Sequence, residues 1–261
     1  MQSSPSAVPA CPRSAIVTGA SGGIGSAIAT ALAHEGFGLT LAGRDVPRLE
    51  ALSAALSAHG PGVQVVAGDV RDPTHLRTLV ERHAATWSGL DMLVNNAGMS
   101  GGSLPIAEID ADIVDDLYAV ILRSTIRLTR EAIPLLLRSA RSRSATNVVN
   151  VASNAGLRGE GTRASYSAMK AGVVAFTEAL HQEYSTSGVR ATAVCPGLTD
   201  TPMAARYRTR IDPANMLQPS DIAEGVRMLT RVSRACIVPQ LTFLGPEEWI
   251  DVPPELRSVP S

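Results

Sequence analysis

The stretch Ala15-Ile16-Val17-Thr18-Gly19-Ala20-Ser21-Gly22-Gly23-Ile24-Gly25 decides how the rest of this chain is read. An apolar run of strand length passes without a linker into a glycine-rich turn. The turn passes into a segment, Ile24 to Glu35, whose apolar residues recur at helical spacing. Strand, glycine turn and helix in that order make a phosphate cradle. One glycine forms the tight turn, one lets backbone N–H groups approach a pyrophosphate, and one lets the helix sit close to the sheet. The helix N-terminus adds unpaired donors and a partial positive charge facing the anion. Gly19, Ser21, Gly23, Ile24 and Gly25 are therefore the candidate pyrophosphate contacts.

Outward from the cradle, short apolar runs alternate with longer helical patterns, the mark of a parallel sheet with helices on both faces. The spacing predicts strands at Ala15 to Val17, Leu39 to Ala42, Val63 to Ala67, Met92 to Val94, Val148 to Val151 and Ala191 to Val194, with a seventh near Leu241. It predicts helices at Ile24 to Glu35, Pro47 to Ala58, Pro73 to Trp87, Ile113 to Ser139, Ser165 to Tyr184 and Ser220 to Thr230. The expected fold is α/β, a single doubly wound Rossmann domain over residues 13–261, with about seven parallel strands. Met1 to Pro12, rich in Ser, Pro and Ala, reads as a disordered leader. Arg138 to Thr146, rich in Arg and Ser, reads as a solvated turn. The weakly periodic stretch 198–218 leaves the sheet near the cradle and is expected to act as a substrate lid.

Composition narrows the function classes. Of the 261 residues, 45% are hydrophobic and 18% charged, which is compatible with a packed core and argues against disorder. A net charge of -1 and 3% aromatic content disfavour nucleic acid and anionic membranes as partners. No apolar run is long enough to span a bilayer, and the N-terminus lacks a basic and apolar signal pattern, so a cytoplasmic location is expected. Cys11, Cys195 and Cys236 show no metal-ligand spacing and read as reduced thiols; no metal is expected.

The end of the second strand should approach the adenosine ribose, and there the chain reads Ala42-Gly43-Arg44. A carboxylate at that point would accept from a free 2′-hydroxyl and repel a 2′-phosphate, whereas Arg44 can pair with the phosphate. NADP(H) is therefore expected in preference to NAD(H).

The fifth strand leads to Ser153, and thirteen residues later Tyr166 opens a helix with Lys170 four positions on. That spacing puts Tyr166 and Lys170 on one face. Reducing a ketone requires a proton on its oxygen as hydride reaches its carbon, and a free phenol ionises poorly at neutral pH. An ammonium about 4 Å away, at an effective dielectric of about 20, stabilises the phenolate by roughly 4 kcal/mol before desolvation. Ser153 would hydrogen-bond the substrate oxygen and hold it beside the phenol. Ser153, Tyr166 and Lys170 are the candidate catalytic residues.

With these motifs in this order, the chain resembles the short-chain dehydrogenase/reductase family of Tyr-x-x-x-Lys type, similar to 3-oxoacyl-acyl-carrier-protein reductases. The resemblance runs from Ser14 to about Thr230 and rests on Thr18 to Gly25, Asp69-Val70, Asn95-Asn96-Ala97-Gly98, Ser153, the Tyr166 and Lys170 pair, and Pro196-Gly197 with Thr201. It implies that Asp69 and Val70 lie near the adenine, and that Asn96, Ala97 and Gly98 line the cofactor. It further implies that Lys170 holds the nicotinamide ribose, that Pro196 and Gly197 place the carboxamide, and that the chain forms a homodimer or homotetramer. Two departures stand out. Ile121 occupies the position of an asparagine that, in many members, holds a water linking the lysine to solvent. The closing Asp-Gly-Gly of the family is replaced by Ile237-Val238-Pro239-Gln240-Leu241-Thr242-Phe243-Leu244.

The expected activity is reversible transfer of a hydride between the nicotinamide of NADP(H) and a carbonyl or secondary alcohol carbon of a small molecule. The alternative, motivated by Ile121, is an NADP-binding sensor or scaffold with little or no turnover. An isomerase or dehydratase using the same tyrosine and lysine is disfavoured by the full dinucleotide turn. For the substrate, Met99, Leu104, Leu157 and Met203 suggest an apolar pocket. Arg158, Arg163 and Arg206 would suit an anionic group but read more simply as solvated.

Overall fold

In a computed structural model of the chain, residues 12–143, 145–209 and 211–246 are described. Strand β1 (Ser14–Thr18) is buried on both faces, and its side chains still alternate: Ala15 and Val17 enter one core, Ile16 the other. Beside it run β2 (Gly38–Gly43), β3 (Val63–Ala67), β4 (Met92–Asn95), β5 (Thr146–Val151), β6 (Val189–Pro196) and β7 (Gln240–Phe243). All pairings are parallel, in the order β3-β2-β1-β4-β5-β6-β7. Val17 stands between Leu41 of β2 and Val94 of β4. The expected seventh strand is thus present, with Leu241 opposite Val194.

Three helices cover one face: α1 (Gly23–His34), α2 (Val46–Leu56) and α7 (Pro219–Leu229). They bury Ile28, Leu32, Leu49, Ile222 and Val226 against Val17, Leu41, Val94 and Val149. The other face is covered by α3 (Pro73–Trp87), α5 (Ser124–Ser142) and α6 (Ala164–Tyr184), which bury Leu76, Leu79, Leu128, Leu136 and Leu180 against Ile16, Leu93 and Val148. Helix starts follow local chemistry. Asp45 accepts from Arg48 N–H ahead of α2, and Asp72 accepts from Thr74 N–H ahead of α3, each with a proline in the first turn. No helix among the described residues is long and apolar enough to cross a membrane.

Two expectations need correction. The predicted helix from Ile113 to Ser139 is interrupted: α4 (Ala111–Leu117) gives way to a π turn, Tyr118–Arg123, before α5. Ser124 N–H reaches back five residues to Ala119 O, while the Ser124 and Thr125 hydroxyls donate to Val120 O and Ile121 O. These hydroxyls satisfy carbonyls in the widened turn, and apolar periodicity carries no trace of that. The predicted turn at Arg138 to Thr146 is mostly helix, because α5 continues to Ser142. Two of its polar side chains are anchors rather than solvated groups: Ser139 Oγ accepts from the buried N–H of Leu90, and Arg143 pairs with buried Asp91 at 2.7 Å, while Arg138 and Arg141 are exposed. The leader to Cys11 and the segment 247–261 lie outside the described residues.

Candidate active site

The strand order reverses between β1 and β4, and a crevice opens beyond their C-terminal ends, where α/β sheets bind ligands. The cradle after β1 is built on contacts that only glycine permits. Gly19 has φ +63, and a Cβ on Gly25 would stand 2.3 Å from Gly19 O. A Cβ on Gly23 would stand 2.5 Å from Thr201 Cγ2, so the segment after β6 reaches across the cradle. Asn96 fastens the neighbouring turn to it, donating from Nδ2 to Thr18 O at 3.0 Å and Gly19 O at 3.2 Å. Thr18 Oγ1 accepts from the N–H groups of Asn96 and Ala97. Below this, Asn95 Nδ2 donates to Asn150 Oδ1, and Asn150 Nδ2 donates to Thr177 Oγ1. This buried chain ties β4, β5 and α6 together.

A cavity of about 770 Å³ occupies the crevice. Gly19, Ser21, Gly23, Ile24, Arg44, Asp69, Val70, Asn96, Ala97, Gly98, Pro196, Gly197 and Thr201 all line it, together with Ser153, Tyr166 and Lys170. Gly25 alone of the expected contacts does not: it lies beneath the turn, where it lets α1 approach Gly19. Arg44 enters the cavity and makes no ion pair among the described residues. Asp69 is held by Arg71, whose guanidinium also bonds Asp116 at 2.8 Å. That guanidinium keeps the Asp69 carboxyl below its usual range, burial opposing. Neither Arg71 nor Asp116 has a sequence signal, since they meet across 45 residues.

At the other side, β5 delivers Ser153, whose Oγ accepts from Ala155 N–H at 3.2 Å and caps the short turn Asn154–Gly156. A Cβ on Gly156 would stand 2.7 Å from Lys170 C, so this turn is pressed onto α6 beside Tyr166 and Lys170. Lys170 Nζ donates to Val151 O at 2.7 Å and lies 5.8 Å from the Tyr166 ring centre. Burial pushes the Lys170 ammonium below its ordinary range, opposed by Tyr166 and Cys195. The Cys195 thiol behind it is itself pushed up to about 11 by burial and stays protonated. Ile121 is buried in the apolar cluster that holds Leu117, Ala155, Val173 and Tyr166.

The expected substrate pocket is reassigned in part. Met99 and Met203 line the cavity, but Leu104 and Leu157 do not. Leu104 N–H bonds Thr162 O, which turns that loop away, and Leu157 is exposed at the end of the Ser153-capped turn. Val120, Glu160, Tyr207 and Ile211 line it without having been expected. Arg163 is the larger correction: its side chain is 17% exposed rather than solvated, paired with Glu160 at 2.5 Å, with its guanidinium 4.2 Å from the Tyr166 ring centre. The stretch after β6 is closed at its base by Leu217 N–H to Leu198 O and Asp200 N–H to Leu217 O, and Arg208 pairs with Asp200 at 2.7 Å. Arg210 lies outside the described residues.

A Rossmann sheet with a glycine cradle and a Ser, Tyr and Lys group at its crevice defines a class of dinucleotide-dependent oxidoreductase, and comparison with known proteins identifies which. Residues 13–212 match the short chain dehydrogenase family, and the chain belongs to it. It is 40% identical over 196 residues to a Streptomyces virginiae protein that bears the name of a monensin polyketide synthase ketoacyl reductase, covering 75% of this chain and 74% of that one. An uncharacterized oxidoreductase of Staphylococcus aureus is 35% identical over 212 residues, covering 81% and 88%. Among solved structures, an actinorhodin polyketide ketoreductase with NADPH superposes with a TM-score of 0.80 at 31% identity, covering 89% and 96%. A 3-ketoacyl-(acyl-carrier-protein) reductase from Brucella melitensis with NADH gives 0.81 at 26%, covering 88% and 96%. The chain is thus an oxidoreductase of the hydride-transferring, short-chain type.

Proposed function

We propose that this chain is a ketoreductase that takes NADPH in preference to NADH and reduces a medium-sized, partly apolar ketone. The observation that carries the reading is the convergence of Ser153, Tyr166 and Lys170 on a cavity that also holds the glycine cradle. The residues fit a dinucleotide phosphate. Gly19, at φ +63 and lining the cavity, and Gly25, packed beneath it against Gly19 O, let the turn close tightly under a phosphate, and Arg44 offers a cation that makes no ion pair among the described residues. When bound, the nicotinamide supplies the hydride.

The protein's own part is to bind, orient and protonate. Ser153 Oγ donates to the substrate oxygen and places it beside the Tyr166 hydroxyl, which gives up its proton as the carbon is reduced. Lys170 stabilises the phenolate that results and holds the ribose. The segment Pro202–Tyr207, carrying Met203 into the cavity, serves as the lid that excludes water. Relatives named as ketoacyl and polyketide reductases support a ketone as the acceptor. A homodimer or homotetramer in the cytoplasm remains part of the proposal.

The test is NADPH consumption against ketones, aldehydes and β-dicarbonyls, with Tyr166→Phe in parallel. Turnover that falls by about 100-fold or more in the variant is the expected result. NADPH binding with no turnover of any substrate would overturn the reductase in favour of an NADP-binding sensor, the reading that Ile121 motivates.

A further inference from the structure

We propose that Arg163 is a positioning residue for the Tyr166 acid, stacked on the phenol face so that a second cation besides Lys170 meets the charge that proton donation leaves on the ring. The inference rests on the reading of Tyr166 as the general acid. Arg163 precedes Tyr166 by three residues at the entry to α6, and Lys170 follows it by four, so both side chains return to the same ring. Their charged ends lie 4.2 Å and 5.8 Å from its centre.

The placement of Arg163 is enforced from several sides. Its guanidinium is paired with Glu160 at 2.5 Å, its Nε is buried without a hydrogen-bond partner, and the guanidinium carbon stands over the ring face. Glu160 N–H donates to Ser167 Oγ, and Ser167 N–H donates to Arg163 O, which clamps the turn onto the first turn of α6. Thr162 between them has φ +62, a conformation that a β-branched residue adopts only under constraint. The constraint comes from Ser103 Oγ at 2.6 Å from Thr162 Oγ1 and from Leu104 N–H on Thr162 O.

A neutral phenol presents a negative π face to a cation, and a phenolate spreads a full negative charge over the same face. When the Tyr166 O–H bond breaks and the proton passes to the substrate oxygen, the attraction to Arg163 grows. Only an interaction that strengthens in the transition state accelerates the step. The other groups around the ring do not supply this charge. Glu160 opposes it but is 39% exposed and screened. Cys195, on β6 behind Lys170, stays a thiol. From α4 and the π turn the surrounding cluster receives Ile113, Leu117, Ile121 and Leu122, all apolar.

The experiment compares Arg163→Gln, Arg163→Lys and Glu160→Gln in the full chain. Arg163→Gln should lower kcat for ketone reduction roughly ten- to thirtyfold with little change in KM, and shift the alkaline limb of kcat upward. Arg163→Lys should recover part of the loss, and Glu160→Gln should shift the limb the opposite way. The tyrosinate absorbance that Tyr166→Phe abolishes is titrated in the same proteins, and it should move to higher pH in Arg163→Gln. An unmoved titration, or an effect on KM alone, would overturn the proposal. If Arg163→Gln does not fold, an unmoved titration in Glu160→Gln overturns it. Because the titration needs no turnover, an inert substrate panel would sink the reductase reading and leave this measurement standing.

Discussion

Lys170 Nζ donates a 2.7 Å hydrogen bond to the carbonyl oxygen of Val151, the last residue of β5. The side chain whose charge faces Tyr166 thereby also docks α6 onto the sheet. Removing it in Lys170→Met leaves a buried carbonyl without its partner, a cost of about 1–3 kcal/mol. The expected outcome is a kcat at least about 100-fold lower, with a lowered midpoint in urea unfolding. A variant with unchanged urea midpoint would show that the bond to Val151 carries no stability.

Arg44 stands in the cavity near the end of β2 with no carboxylate partner among the described residues. In Arg44→Ala the Kd for NADPH should rise roughly ten- to a hundredfold, the scale of a charge-assisted contact of about 1.5 to 3 kcal/mol, while the Kd for NADH changes little. Calorimetric titration of both cofactors checks this. Equal losses for the two would remove the 2′-phosphate as the partner of Arg44.

His83 of α3 is fully buried against β1 and β2. Its Nε2 lies 2.9 Å from Gly89 O and its Nδ1 2.7 Å from Thr40 Oγ1. Gly89 O can only accept, so Nε2 carries the proton of the neutral ring, and Nδ1 then accepts from the Thr40 hydroxyl. Burial accordingly pushes His83 down to about 4 from an ordinary 6.5. The neutral ring's contribution is complete above pH 6.5 and is lost as pH falls from 6.5 toward 4, because the unfolded chain takes up the proton first. The loss is of order 3 kcal/mol. Thermal melts between pH 7.5 and 4.5 should show a steeper fall in Tm for the natural chain than for His83→Gln, and parallel curves would refute it.

Gly25 does not touch the cavity, yet its substitution should weaken cofactor binding. A methyl at Gly25 would meet Gly19 O at 2.3 Å and Asn96 Nδ2 at 2.5 Å, both parts of the cradle. Gly25→Ala is therefore expected to move α1 off the turn, lowering Tm by several degrees and NADPH affinity by more than about tenfold. Gly22→Ala, where a Cβ meets nothing within 4 Å, is the control and should leave Tm nearly unchanged.

Much of the fold was legible because its signals are local. Strand runs, helix periodicity, the glycine turn and the Tyr166 and Lys170 spacing each occupy a few consecutive residues, and every expected strand and every expected helix but the one from Ile113 to Ser139 is present as an unbroken element. The π turn at Tyr118–Arg123 was not legible, since side-chain hydroxyls rather than apolar spacing sustain it. Nor was the bridge from Arg71 to Asp69 and Asp116, which joins residues from separate segments.

By itself the sequence determined which segments become strands and helices, where the chain turns on glycine, and which of its residues have the chemistry to protonate a ketone. Only the tertiary structure decided that Gly25 packs instead of lining the cavity, that Leu104 and Leu157 stay out of it, and that Arg163 leaves solvent to lie on Tyr166. The reason is physical. Spacing along one element sets the direction of a side chain, but its distance from another element depends on how sheet, helices and turns pack. The charge environment of Tyr166 is set by those distances.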